Sequence, residues 1–151
     1  VLCAADGASV AAVHAGWRGL LGVGGRGVLE ALCEQWPAAR TPSQRAGLRV
    51  WLGPCIGPQA FEVGEEVRAA FCAHDAAAAQ HFQAQGPGKY LADLAGLARQ
   101  RLRALGITQI FGNDGSPGWC TVSQPSRFFS HRRDALALGG SGRMAACIWL
   151  G

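Results

Sequence analysis

An imidazole, an indole and a guanidinium fall within five residues at His14, Trp17 and Arg18, in the stretch Val10-Ala-Ala-Val-His-Ala-Gly-Trp-Arg-Gly19. The apolar run before His14 reads as a buried strand, and Gly16 and Gly19 bracket a tight exit from it. This sets His14 at the carboxyl end of a strand, where open α/β sheets bind their ligands. A lone histidine is better explained as a core residue beside an amphipathic tryptophan. Three such side chains converging on one glycine-bracketed turn favour a site. A second cluster follows late in the chain, Arg127-Phe-Phe-Ser-His-Arg-Arg-Asp134. Arg127, Arg132 and Arg133 carry guanidinium forks that match phosphate oxygens. Ser130 and His131 lie between the arginines and the aromatic pair Phe128 and Phe129. A solvated basic loop is the competing explanation and stands about level with an anion site. Cys55 could act with a histidine as nucleophile and base, although a buried structural thiol explains it better. Cys120 is a further candidate in a Trp-Cys-Thr loop.

The elements that would position these groups follow from periodicity. Val1 to Ala5 and Ser9 to His14 flank Asp6-Gly7 as a hairpin. Gly22 to Gly27 matches G-x-G-x-x-G literally, but the preceding strand is too far upstream and no acidic residue follows at ribose distance, so a dinucleotide site is rejected. Val28, Leu29, Leu32, Cys33 and Trp36 continue at helical spacing until Pro37. Pro37 to Gly47 reads as a loop and Leu48 to Leu52 as a strand. Phe61 opens a helix with an acidic first turn at Glu62, Glu65 and Glu66. Ala76 to Phe82 is a short helix flanked by two surface histidines, His74 and His81. Tyr90 to Leu105 is a helix with Leu91, Leu94, Ala98, Leu102 and Leu105 on one face and Gly106 as its cap. Ile107 to Phe111 is a strand, Asn113 to Pro125 a loop, and Arg143 to Leu150 a closing strand. Asp134 reads as a partner for an arginine.

The chain has 151 residues, enough for a single domain over 1–151 with a real core. Charged residues make up only 16% against 49% hydrophobic, which excludes a disordered chain. The net charge of +4 suits a small anion such as phosphate. Nucleic acid is not expected as a partner, because there is no Lys/Arg run and Lys89 is the sole lysine. No apolar stretch approaches the length of a membrane span, so no membrane partner is expected. Six cysteines without a C-x-x-C pair argue against a zinc ribbon or a disulfide framework and fit a reducing, cytoplasmic setting. Cys3, Cys33, Cys72 and Cys147 lie in apolar runs and are assigned to the core. The opening Val1-Leu-Cys-Ala-Ala reads as the middle of a strand.

Four motifs in order carry a resemblance. They are Ala12-Val-His-Ala-Gly-Trp-Arg-Gly19, Leu52-Gly-Pro-Cys-Ile-Gly-Pro58 with Phe61-Glu-Val-Gly-Glu-Glu-Val67, Tyr90-Leu-Ala-Asp-Leu94, and Phe128-Phe-Ser-His-Arg-Arg-Asp134 with Gly142-Arg-Met-Ala145. Together they resemble the YfiH, or laccase-domain, family from Val1 to Leu150. The resemblance implies an α/β fold, an α/β/β/α sandwich of mixed sheets flanked by helices, of which this chain would be the C-terminal portion. It implies zinc-dependent phosphorolysis of purine nucleosides (adenosine, inosine, methylthioadenosine), with adenosine deamination as an associated activity. Purine nucleoside and phosphate would be the partners of a monomer or small homo-oligomer.

Within that resemblance His14 is a zinc ligand and catalytic residue, the remaining ligands being expected upstream of Val1. Arg18 is the second catalytic candidate. Trp17, Phe129, Ser130, His131, Arg132 and Arg133 are the substrate-binding candidates. Copper is the weaker metal expectation, since the chain lacks the His-x-His pairs that several coppers need. The Gly22 to Gly27 stretch and the Asp114 to Arg127 loop look longer than the family pattern. Two other readings stay open: a Cys/His amidohydrolase that edits peptidoglycan precursors, and a non-catalytic truncated domain.

Overall fold

The computed structural model describes the backbone of residues 2–3 and 7–151, with the side chains of 2–3 and 136–138 outside that description. Strand β1 (Leu2–Cys3) pairs antiparallel with β2 (Val10–Ala11), Leu2 facing Ala11 and Cys3 facing Val10. The expected hairpin pairing therefore holds. Val1 and Ala4 to Asp6, the rest of its first arm and half of its turn, lie outside the described residues, as does the packing of Cys3. The second arm is shorter than expected. It ends at Ala11, so His14 stands on the irregular segment between β2 and helix α1 (Trp17–Leu21).

Helix α2 (Val28–Gln35) stops before Pro37, as the sequence dictates. The Gly22 to Gly27 stretch is a tight turn closed by reciprocal backbone bonds between Val23 and Arg26, a geometry unlike a phosphate loop. The expected Pro37 to Gly47 loop is instead a 3-10 turn at Pro37–Ala39 and a helix, α3 (Pro42–Ala46). Thr41 caps α3 with a reciprocal Thr/Gln capping box, and Pro42 sits in its first turn.

Strand β3 (Arg49–Leu52) pairs antiparallel with β1 and parallel with β7 (Gln109–Gly112), giving a mixed sheet of order β2-β1-β3-β7. A second, antiparallel sheet has the order β4-β6-β5. Its strands are β4 (Glu62–Gly64), β5 (Phe82–Gly86) and β6 (Lys89–Ala92). Two helix boundaries are corrected by this sheet. Helix α4 (Glu65–His74) begins three residues later than Glu62, whose carboxylate instead pairs with Lys89 of β6 across the sheet. Helix α5 (Leu94–Ala104) begins after Asp93, so Tyr90 and Leu91 are strand residues. Asp93 accepts a bond from the Gly96 N–H at 2.9 Å and fixes that start.

Helix α6 (His131–Leu138) was not evident in the sequence. The expected closing strand is corrected too: residues 141–151 have no regular secondary structure, and Met144, Trp149 and Leu150 are exposed. Alternation suits this segment to a ladder, but among the described residues no strand pairs with it, and an extended segment without a neighbour makes no ladder.

The core gathers Leu20, Leu48, Val50, Leu97, Leu102 and Ile107, each 2% exposed or less. It therefore ties α1 and β3 to α5 and the start of β7. Arg99 of α5 donates to the carbonyls of Ile110, Gly112 and Asn113, fastening the helix to the end of β7. Arg101, 6% exposed, forms an ion pair with Glu30 at 2.9 Å and bonds the Gly25 carbonyl, so its charge is not left uncompensated inside. The opposite face of the mixed sheet carries Trp51 and Phe111 as directly paired residues, both exposed. Trp119 stacks edge-on against Trp51 at 5.9 Å.

Candidate active site

The hollow at the start of α1 is lined by His14, Gly16, Trp17, Arg18 and Gly19 and holds about 280 Å³. Gly16 is the N-terminal cap of α1, and its carbonyl accepts from Leu20 N–H at 2.8 Å. The His14 imidazole lies directly over it. A Cβ built on Gly16 would stand 3.1 Å from His14 Nε2, so a side chain there would have to push the ring aside. Buried Leu20 anchors the same helix into the core. This leaves Trp17 half-buried and Arg18 exposed on the rim, with the guanidinium 4.4 Å above the indole ring. A cation held over an aromatic face is a favourable contact even at a surface. It keeps the guanidinium beside the indole at the rim of the hollow.

The second cluster is organised by the start of α6. Ser130, 4% exposed, is the cap: its Oγ accepts from Arg133 N–H at 3.3 Å, and its own N–H donates to Asp134 Oδ2 at 2.9 Å. Arg133 donates to the carbonyls of Thr121, Val122 and Phe128 and to the Asp134 carboxylate. Asp134 is thus the expected arginine partner, and Arg133 is a brace across the loop. The Arg133 bonds and the Ser130 N–H hold the Asp134 carboxyl below the usual carboxylate range. Arg132 reaches the Glu62 carbonyl at 3.2 Å and lies over the Phe61 ring, joining α6 to β4. Arg127 donates to the Gly118 carbonyl. His131 and Phe129 are exposed, the latter lying where Gly142 of the following segment passes close. The hollow's lining comes from the first cluster alone.

Of the cysteines assigned to the core, Cys33 is buried, Cys72 is half-buried and Cys147 is exposed. The last is a correction that follows from the missing ladder at 143–150. His74 is exposed as expected, whereas His81 is half-buried, with Nδ1 4.0 Å from Asp93. A residue the sequence did not single out ties the 53–55 turn to the 113–115 loop. Asn113, 2% exposed, donates to the Gly53 carbonyl and to Cys55 Sγ and accepts from Gly115 N–H. Asn-Asp-Gly at 113–115 is a turn signal, and a buried asparagine amide on such a turn is invisible to periodicity.

A zinc at this hollow would find one imidazole, that of His14. A catalytic zinc takes three protein ligands, and among the described residues no group of three or more His, Cys, Asp or Glu side chains could hold a metal. These residues do not by themselves fit the ion.

The family described as multi-copper polyphenol oxidoreductase laccase matches residues 1–151. The chain belongs to that family. It is 49% identical over 150 residues to a purine nucleoside phosphorylase YfiH of Escherichia coli strain K12, covering 99% of this chain and 54% of that protein. It is 45% identical over 151 residues to a purine nucleoside phosphorylase of Xylella fastidiosa strain Temecula1, covering 100% and 52%. Among solved structures, a Neisseria meningitidis protein described as DUF152 matches with 41% identity and a TM-score of 0.73, over 88% of this chain and 50% of that one. A Bacillus licheniformis YfiH matches with 28% identity and a TM-score of 0.67, over 81% and 43%. The chain thus spans about half the length of the curated relatives it matches. The family and the mixed α/β architecture agree with the YfiH-like, laccase-domain resemblance read from the motifs. No helix among the described residues is long and apolar enough to cross a membrane.

Proposed function

We propose that this laccase-domain chain supplies one wall of a purine nucleoside phosphorylase site. The observation that carries the reading is the hollow at His14, Trp17 and Arg18 in a chain whose relatives bear that name. In phosphorolysis a phosphate oxygen bonds to the ribose anomeric carbon while the glycosidic bond breaks, giving free purine and ribose 1-phosphate. Arg18 would orient and neutralise the phosphate through its guanidinium fork, which the cation–π contact already holds at the rim. The Trp17 face would carry the purine. The His14 imidazole, fixed over Gly16, would face the substrate and offer one ring nitrogen as a ligand. Phe129 and His131 would meet substrate from the second cluster. Ser130, Arg132 and Arg133 would act there by holding the cluster in shape, because their polar groups already serve the cap, β4 and the 121–128 loop. Adenosine, inosine and methylthioadenosine are the substrates proposed, handled by a monomer or small homo-oligomer in the cytoplasm.

Zinc would require ligands from outside these residues, and no step is routed through it. Adenosine deamination is proposed as an accessory activity on the same basis. A peptidoglycan amidohydrolase built on Cys55 finds less support, because burial holds that thiol at about 11 despite a hydrogen bond from Asn113. A thiol so held is almost wholly un-ionised at neutral pH.

Mass-spectrometric product analysis with inosine and adenosine, with and without phosphate and zinc, tests the proposal. Free base plus ribose phosphate, formed only with phosphate, is expected, with Arg18→Ala lowering turnover about a hundredfold and His14→Ala abolishing it. Phosphate-independent release of an amino acid from a muropeptide would replace the reading with the amidohydrolase. No turnover with any of these substrates would leave the non-catalytic domain.

A further inference from the structure

Away from the hollow, two cysteines meet on neighbouring backbones. Cys55 and Cys120 are the paired residues of an isolated parallel β-bridge, and Thr121 N–H donates to the Cys55 carbonyl at 2.9 Å. Residues paired in this way lie about 4.8 Å apart and send their side chains to the same side of the pleat. That spacing falls inside the roughly 4.4–6.8 Å between Cα atoms that a disulfide spans. The approach is close. A Cβ on Gly57 would stand 2.9 Å from Cys120 Cβ and 3.1 Å from its Sγ, so only glycine lets the 53–57 turn lie against Cys120.

The two sulfurs are held differently. Gly57 N–H donates to Cys120 Sγ at 3.2 Å, whereas the Cys55 thiol donates to the Ile56 carbonyl at 3.3 Å and accepts from Asn113. Burial pushes the Cys120 thiol up, but the Ser123 hydroxyl and the N–H groups of Ser123, Gly57 and Val122 outweigh it and leave the thiol below its usual value. Burial raises the Cys55 thiol, and the one amide donor on it, Asn113, does not offset that. Hydrogen-bond donors thus converge on the Cys120 sulfur, whereas Cys55 directs its own proton to the Ile56 carbonyl.

We propose that Cys55 and Cys120 are a peroxide-oxidised dithiol pair, Cys120 taking the oxidant and Cys55 resolving it to a disulfide between the 53–57 turn and the 119–121 loop. The Cys120 thiolate attacks hydrogen peroxide. The S–O bond forms as the O–O bond breaks, and the departing hydroxide takes a proton to become water. The Cys55 sulfur then attacks the Cys120 sulfenic acid while losing its own proton. The S–S bond forms, the S–O bond breaks and a second water leaves. Two thiols lose two electrons and one peroxide becomes two waters. The step is independent of nucleoside chemistry.

The test is equimolar hydrogen peroxide on the chain, alkylation of remaining thiols, and non-reducing peptide mapping. A Cys55–Cys120 cross-linked peptide pair, lighter by two hydrogens and reopened by dithiothreitol, is expected, with Cys33 and Cys72 still alkylated. In Cys55→Ser the sulfenic acid should persist on Cys120 and be captured by dimedone, while Cys120→Ser should show no dimedone adduct at Cys55. Thermal midpoints of both variants report whether they fold, and the parent chain's cross-link decides alone if they do not. Full alkylation of both thiols, a cross-link through another cysteine, or sulfinic acid on Cys120 without a cross-link would overturn the proposal.

Discussion

His14 and Gly16 form a unit in which one residue's chemistry depends on the other's lack of a side chain. The imidazole lies within 3.1 Å of where a Cβ on Gly16 would be, so Gly16→Ala must shift the ring by a few tenths of an ångström. Positioning errors of that size act on turnover before they act on folding. Gly16→Ala is expected to lower nucleoside turnover about tenfold with the thermal midpoint nearly unchanged, read by steady-state kinetics beside calorimetry. A parallel fall in the midpoint would show Gly16 to be structural only. At this scale the sequence was informative where backbone spacing alone decides. His14, Trp17 and Arg18 share a turn because they are near neighbours in the chain. It was silent where chemistry depends on distant partners. Nothing near Arg133 in sequence says that its guanidinium is spent on the carbonyls of Thr121 and Val122.

Elements were legible in proportion to how far local signals agreed. Helix α2, stopped by Pro37, and β3 needed only period and punctuation. The β5–β6 hairpin was hidden because Gly86-Pro-Gly88 reads equally as a break, and because Tyr90 and Leu91 satisfy a helical period as well as a strand. Tertiary pairing with β4 decided it. Helix α6 was masked by its own arginines, which drew attention to anions although Ser130 is an ordinary cap.

One consequence of β6 leading into α5 is the half-burial of His81, whose carbonyl accepts from Asp93 N–H. Burial lowers the His81 pKa most. The Arg103 charge acts the same way, and Asp93 and a Gln100 hydrogen bond pull it back without cancelling the shift. The unfolded chain therefore binds that proton more readily than the folded one. Stability is full above the ordinary histidine value of about 6.5 and falls as pH drops below it. Urea midpoints between pH 8 and pH 5 should decline in the parent, and His81→Gln should flatten that slope. An unchanged slope would assign the acid sensitivity to other groups.

For the molecule as a whole, the mixed sheet is assembled from segments far apart in the chain. Leu2 pairs with Val50, and Arg49 of the same strand pairs with Gln109, while the entire second sheet and two helices intervene between β3 and β7. The sheet that anchors the hollow thus lacks an edge until residues near Gly112 have been made and brought back. This is a matter of time as much as of shape. Ends that must find each other across long stretches of chain incur loop-closure entropy before any contact rewards it. Stopped-flow refolding of a variant that keeps Trp51 as its one tryptophan should therefore show helical signal arriving ahead of fluorescence, with the final phase slower than for a helical bundle of equal length. Simultaneous recovery of both signals would mean that β3 and β7 meet early. During synthesis, a ribosome that pauses before Gln109 would hold a chain whose candidate active-site turn is already made while the β3 edge of its sheet still waits for β7.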